Sequence, residues 1–385
     1  MFLPTILVFL FVLLIFFVVL SVLVLVHEFG HFLAAKFFKV KVEEFALGLP
    51  FTKPLFSKKG KDKMIWAVYP VLFGGFVRLL GEEGDEERSN PASFVHKTPW
   101  ARAAILLAGV TMNLVLGVVL LYMMLSLSSF KTFVPDFAKY NFHNALQAKR
   151  VIVTDVAKGS PSDLAGIKDG DILVSVDGQD INGSEGMMNV TKQKSGKSIN
   201  IKLYHQIPIN PRNVFAIPRA NPPKGEGPMG IKIADVLEIS YPAFSQKLIS
   251  GFTLTYDMGV YTMKVLGTLI STSVATRTVD PIAKNLSGPV GIFNVIGSFL
   301  KIGGFEAFFN IVQLMALMTI SLAIFNVLPF PALDGGRLLF VVIEGITGKK
   351  VKANWERHIH QIGMALLLAL MLFVTFNDIV RIFIK

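Results

Sequence analysis

The chain has 385 residues, 52% of them hydrophobic and 17% charged, with 33 Phe and a mean hydropathy of +0.56, values that exclude an ordinary soluble globular protein. Its 38 Lys+Arg outnumber 27 Asp+Glu, a net +11. In so apolar a chain that excess is expected at the cytoplasmic lipid surface rather than on nucleic acid. Without cysteine there is no disulfide framework, thiolate nucleophile or Cys-based metal site, so any metal must be held by His, Asp or Glu.

The first predicted element is a membrane span over residues 1–36. No charge falls between Phe2 and Val26, a length that exceeds the roughly 30 Å of hydrocarbon a helix must cross. The basic and small-residue flanks of a signal peptide are missing. A loop follows over 37–99, with Lys36 at its border and Lys39, Lys41, Lys53, Lys58, Lys59, Lys61 and Lys63 in its first part, which places it in the cytoplasm and the N-terminus outside. Within it Ile65–Val71 and Phe76–Leu80 are β-prone and flank Gly74-Gly75, which predicts a β-hairpin near 64–80. By pattern alone this is either an amphipathic cytosolic hairpin or a membrane-associated one. The acidic run Glu82–Glu87 reads as a solvated loop.

A second span is expected over 100–130, and composition then turns globular over 145–235. Val151–Val156 reads as a strand, Ser160–Ile167 as a short capped helix and Lys168–Gly178 as a turn and strand. The run S-P-x-x-x-A-G-I-x-x-G-D-x-L-x-x-V-x-G resembles a PDZ domain, which implies either peptide binding by strand addition or a steric filter. The Pro-rich stretch Ile207–Pro228 reads as a loop before a last strand at Gly230–Ile233. Over 236–303, Lys247, Asp257, Lys264 and Arg277 interrupt the apolar runs, so an amphipathic helical region on the outer surface is expected. A third span (304–336), a cytoplasmic loop (337–360) with Lys349, Lys350, Lys352 and Arg357, and a fourth span (361–382) complete the chain.

The polar residues inside these spans carry the chemistry. His27-Glu28-Phe29-Gly30-His31 is H-E-x-x-H; four residues apart, the two imidazoles share a helical face and can hold one Zn²⁺, with Glu28 placed to take a proton from an activated water. Ionisable groups in a bilayer are costly, and a metal compensates for them. A catalytic zinc expects a third protein ligand. Span three ends in Asn326-Val-Leu-Pro329-Phe-Pro331-Ala-Leu-Asp334-Gly335-Gly336, where the prolines should unwind the helix beside Asp334. Alone, this stretch fits a plain kink with a Gly-Gly cap as well as a metal ligand. Spans one and three run in the same direction and end at the same depth, and that pairing favours the ligand.

Together these residues resemble the site-2 proteases, intramembrane zinc metalloproteases, and most closely the bacterial regulator-of-sigma-E type with a single PDZ domain. The resemblance rests on HEFGH, on the N-x-x-P-x-P-x-L-D-G stretch, on Tyr69–Arg78 and on Ser287-Gly-Pro-Val-Gly-Ile292. It implies a polytopic α-helical membrane protein of four spans, with a membrane-reentrant β-hairpin and an inserted α+β PDZ domain on the outer side. It further implies His27, His31 and Asp334 as zinc ligands, Glu28 as catalytic acid/base, and Asn326 in substrate contact. Pro329, Pro331, Gly74, Gly75 and Phe76 would then line the substrate, an unwound segment added as a strand to the hairpin. The implied setting is the bacterial inner membrane, with both termini and the PDZ domain outside. The implied partners are the lipid bilayer, single-span substrates such as anti-sigma factors or remnant signal peptides in regulated intramembrane proteolysis, and a peptide ligand of the PDZ domain. Zinc is favoured by ligand type over Mn²⁺ or Fe²⁺. The rival is a catalytically silent membrane PDZ scaffold, which predicts a broken motif; a metal transporter would need ionisable residues along several spans, and span two offers Asn113 and a few hydroxyls.

Overall fold

The computed structural model describes residues 2–82, 90–205, 210–349, 351 and 353–383. Most of the acidic run (83–87), the start of the Pro-rich stretch (207–209), and Lys350 and Lys352 lie outside the described residues. The chain divides into two compact units, one of residues 1–119, 266–303 and 310–385, the other of 120–265 and 304–309.

The first unit opens with helix α1 (Phe2–Phe37), followed by strands β1 (Val42–Leu49), β2 (Phe56–Lys59), β3 (Ile65–Val68) and β4 (Val71–Leu79), and then helix α2 (Pro99–Leu127). The strands form one sheet in the order β2-β3-β1-β4. The expected hairpin is therefore corrected. Gly74 and Gly75 lie inside β4 rather than at a turn, and β3 and β4 both pair with β1, in parallel and antiparallel sense, instead of with each other. The connection is only Tyr69-Pro70, and it crosses the end of β1 where Tyr69 N–H donates to Leu47 O at 2.8 Å. Gly48 permits the crossing: its φ is +87°, and a Cβ there would stand 2.7 Å from Val71 O and 2.8 Å from Tyr69 O. Strand β1 escaped sequence reading because it holds Glu43 and Glu44 side by side. Glu44 is buried nevertheless, accepting from Tyr69 Oη at 2.8 Å and facing Arg78 Nη1 at 3.2 Å, so the carboxylate enters the sheet already compensated.

The second unit is built on a sheet of β5 (Lys131–Pro135), β6 (Leu146–Val156), β7 (Ile172–Val176), β8 (Gln179–Asp180), β9 (Ile199–His205), β10 (Asn210–Ala216) and β11 (Ile231–Ser240), with short helix α3 (Pro161–Leu164) and helix α4 (Gly183–Gln193) inserted. The order is β10-β9-β7-β6-β11-β5, with β8 on β7. Val151, Leu173, Ile199, Ile201 and Leu203 form its buried core. Helix α3 starts at the expected cap, Ser160 Oγ accepting from Asp163 N–H at 3.2 Å. Strand β10 replaces part of the expected Pro-rich loop. It lies at the sheet edge, where the missing N–H of Pro211 is tolerated.

Helix α5 (Phe244–Thr276) continues the chain without a break for 33 residues, followed by α6 (Asp280–Asn285), α7 (Pro289–Ile302), α8 (Gly304–Val327), α9 (Asp334–Thr347) and α10 (Ala353–Phe383). Four described helices are long and apolar enough to cross a membrane: residues 6–37 of α1, α2, α8 and residues 354–381 of α10. A helix answers all its own backbone hydrogen bonds, which is what a hydrocarbon solvent demands. The Ser287–Ile292 motif has a structural explanation here. Buried Asp378 of α10 accepts from Gly288 N–H at 2.9 Å and Gly291 N–H at 2.8 Å, supplying the acceptor that the start of α7 lacks.

Candidate metal centre

His27 and His31 lie one turn apart on α1, with ring centroids 4.8 Å apart and planes at 83°. Helix α8 ends at Val327, the chain runs non-helical through Pro329 and Pro331, and α9 begins at Asp334. The unwinding falls where the prolines remove backbone donors. It delivers Asp334 to the two imidazoles. Oδ2 lies 2.9 Å from His27 Nε2 and 3.3 Å from His31 Nε2, and the two Nε2 atoms are 3.1 Å apart. Among the described residues these three form the one group of His, Asp and Glu placed to hold a metal ion. Donors about 2.0–2.1 Å from a tetrahedral ion stand roughly 3.3 Å from each other, so the residues present fit zinc.

The remaining ring nitrogens are anchored. His31 Nδ1–H donates to Ile105 O at 2.8 Å, which leaves Nε2 with its lone pair toward the centre. The Asn113 amide stands 3.1 Å from His27 Nδ1. The orientation that frees His27 Nε2 for a metal turns Oδ1 toward the ring to accept from Nδ1–H, and Asn113 Oδ1 is the end of that buried amide otherwise without a partner. Gly109 lies between these two contacts on α2, and a Cβ there would meet His31 Nε2 at 2.5 Å and His27 Cε1 at 2.7 Å. Ile105, Gly109 and Asn113 are spaced by four and line one helical face.

Glu28 reaches toward β4, where Oε2 accepts from Val77 N–H at 3.0 Å. Glu28, His31, Phe76, Asp334, Arg337 and His360 are among the residues lining a cavity of about 440 Å³. Arg337 there is ion-paired to Glu82. Of the other expected site residues, Asn326 reaches the centre, its Nδ2 lying 3.3 Å from His27 Nε2. Gly75 pairs with Leu47 and Phe76 with Ala46, while Gly74, with φ +98°, faces Val24 of α1. Pro329 and Pro331 shape the turn before Asp334. Sequence reading missed Ile105, Gly109, Val77 and the anchoring place of Asn113. The signal available for Asn113 was an amide in an otherwise apolar span, which needs a partner.

The profile of Peptidase family M50 matches residues 15–370. A Clostridium perfringens protein named "putative zinc metalloprotease" is 31% identical over 360 residues, covering 94% of this chain and 96% of its own. A Fusobacterium nucleatum protein of the same name is 30% identical over 379 residues, covering 95% and 98%. The chain therefore belongs to peptidase family M50, and with four described helices long and apolar enough to cross a membrane it is a multi-pass membrane zinc metalloprotease.

Proposed function

We propose that the chain is an intramembrane endoprotease in which His27, His31 and Asp334 hold the zinc and Glu28 moves the protons. One observation carries this reading: three donor atoms of α1 and α9 converge within 2.9–3.3 Å of each other, and Glu28 lines the same cavity. When bound, zinc supplies a Lewis acid for the scissile carbonyl and acidifies the attacking water. Glu28 takes the proton from that water and hands it to the leaving amine. Its bond to Val77 N–H fixes the carboxylate against β4. Asn326, beside His27, donates toward the charge that develops on the carbonyl oxygen.

The substrate is a single-span membrane segment, unwound and added as a strand along β4, the end strand of its sheet. Gly74 and Gly75 leave that strand without bulky side chains, Phe76 contacts the segment from the cavity wall, and Pro329 and Pro331 meet it from the turn before Asp334. Anti-sigma factors already trimmed on the outer side and remnant signal peptides are the substrate classes, in regulated intramembrane proteolysis at the bacterial inner membrane. Residues 145–235 are a PDZ domain outside the membrane, taking an extended peptide or filtering by size, and the basic loop after α1 is cytoplasmic.

Metal content of the purified full chain tests the ligands. About one zinc per wild-type chain, lost in Asp334→Ala and in His27→Ala, is the expected result; zinc indifferent to Asp334 would dismantle the three-ligand site. Glu28→Gln should keep its zinc while cleavage of a single-span substrate falls roughly 10²–10⁴-fold. The chain has no cysteine, so single cysteines at Lys61 and Lys192 test sidedness directly. An impermeant maleimide applied to intact cells should label position 192 and spare 61, and the reverse would invert the topology.

A further inference from the structure

Helix α10 meets the turn before Asp334 at two points. His360 Nδ1 accepts from Ala332 N–H at 2.8 Å. Three residues on, Gly363 lies so near Pro331 that a Cβ would stand 2.4 Å from both Pro331 Cβ and Pro331 O. Residues three apart share a helical face, so one face of α10 is shaped to this turn. The turn needs holding, because Ala332 has φ +78°, a left-handed conformation that an L residue with a Cβ adopts only at a cost.

A backbone clamp alone does not account for histidine. His360 lies within the apolar span 354–381, where an ionisable side chain is expensive and points to function. With Nδ1 accepting, the proton of the neutral ring is on Nε2. Among the described residues, Nε2 is enclosed and has no hydrogen-bond partner, and the residue lines the cavity shared by Glu28, His31 and Asp334. A buried donor left without an acceptor, on a residue that lines the same cavity as Glu28, is short of the group that the cavity is built to receive.

We propose that His360 serves this active site twice, clamping the Asp334 turn through Nδ1 and donating from Nε2–H to a backbone carbonyl of the peptide held in the cavity. The inference rests on the zinc-protease reading of the same site. Asparagine and glutamine separate the two roles: Asn presents an acceptor near the Nδ1 position, and Gln reaches toward the Nε2 position. Zinc release from the purified full chain to a chelator, and KM with kcat on a single-span substrate in detergent, are measured for His360→Asn, His360→Gln and His360→Leu. His358→Leu, on the exposed side of α10, is the control.

His360→Asn should hold zinc like wild type while KM rises between about two- and tenfold with kcat kept. His360→Gln and His360→Leu should release zinc about tenfold faster or more. Equal zinc release from Asn, Leu and wild type overturns the clamp, and a wild-type KM in His360→Asn overturns the donor. Absence of zinc from wild type itself would instead remove the ligand assignment beneath the inference.

Discussion

Two carboxylates in this molecule, Asp257 fully buried and Asp334 half-buried, each meet histidine, and they differ in how their donors and acceptors balance. Asp257 on α5 is fully buried, and three chain donors answer it: His143 N–H at 2.7 Å, Tyr140 Oη–H at 2.8 Å and His143 Nδ1–H at 2.5 Å. Burial, and next the Asp257 carboxylate, push the Tyr140 hydroxyl above the ordinary phenol value, so it stays a donor. That cluster is complete, and it ties the segment after β5 to α5. At Asp334 the arrangement is reversed. His31 Nδ1 spends its proton on Ile105 O, Asn113 takes His27 Nδ1, and the lone pairs of two nitrogens and one oxygen converge. A carboxylate surrounded by donors holds structure, whereas one set among other electron pairs has the donor set that could hold a cation.

Exchanging the two sites experimentally sharpens that contrast. Asp334→Ala should abolish zinc binding and bring proteolysis below detection while thermal unfolding of apo protein barely moves. A large loss of apo stability would make Asp334 structural after all. Asp257→Ala should do the opposite, lowering the unfolding free energy by about 3 kcal/mol with zinc stoichiometry unchanged, because it strands three donors. Asn113→Ala lies between the extremes. It keeps all three ligands but should weaken zinc affinity about 10- to 100-fold, measured by competition with a chelator. Smallest is Ser160→Ala at the cap of α3, expected to cost about 1 kcal/mol in thermal unfolding and nothing in zinc binding.

What the sequence made legible and what it hid divide along chain separation. His27 and His31 are read locally, since four residues of helix already put them on one face, and the four spans need only uninterrupted apolar length. Asp334 was expected beside the histidines from topology, on the reading that two spans of equal direction end at one depth, and its carboxylate does lie 2.9 Å from His27 Nε2. The sheet order was not legible. Strand β1 carries Glu43-Glu44 in place of an apolar run, and only Tyr69 and Arg78, 25 and 34 positions away, make Glu44 burial tolerable. Gly74-Gly75 misled for the opposite reason. A glycine pair announces a turn, yet here it keeps β4 slim where the strand lies along α1. The anchors of the metal centre hid similarly, since Ile105 contributes only a carbonyl and Gly109 only a hydrogen, and neither has a side chain that advertises chemistry.

Gly109 has a practical side. A single methyl group at that position would press on both imidazoles from the α2 side without touching the identity of any ligand, of Glu28 or of β4. Gly109→Ala is thus a wedge rather than a deletion, expected to lower zinc occupancy and cleavage while it keeps every group proposed to grip the peptide. A protease arrested in that way is the natural bait for crosslinking its own substrates out of the membrane.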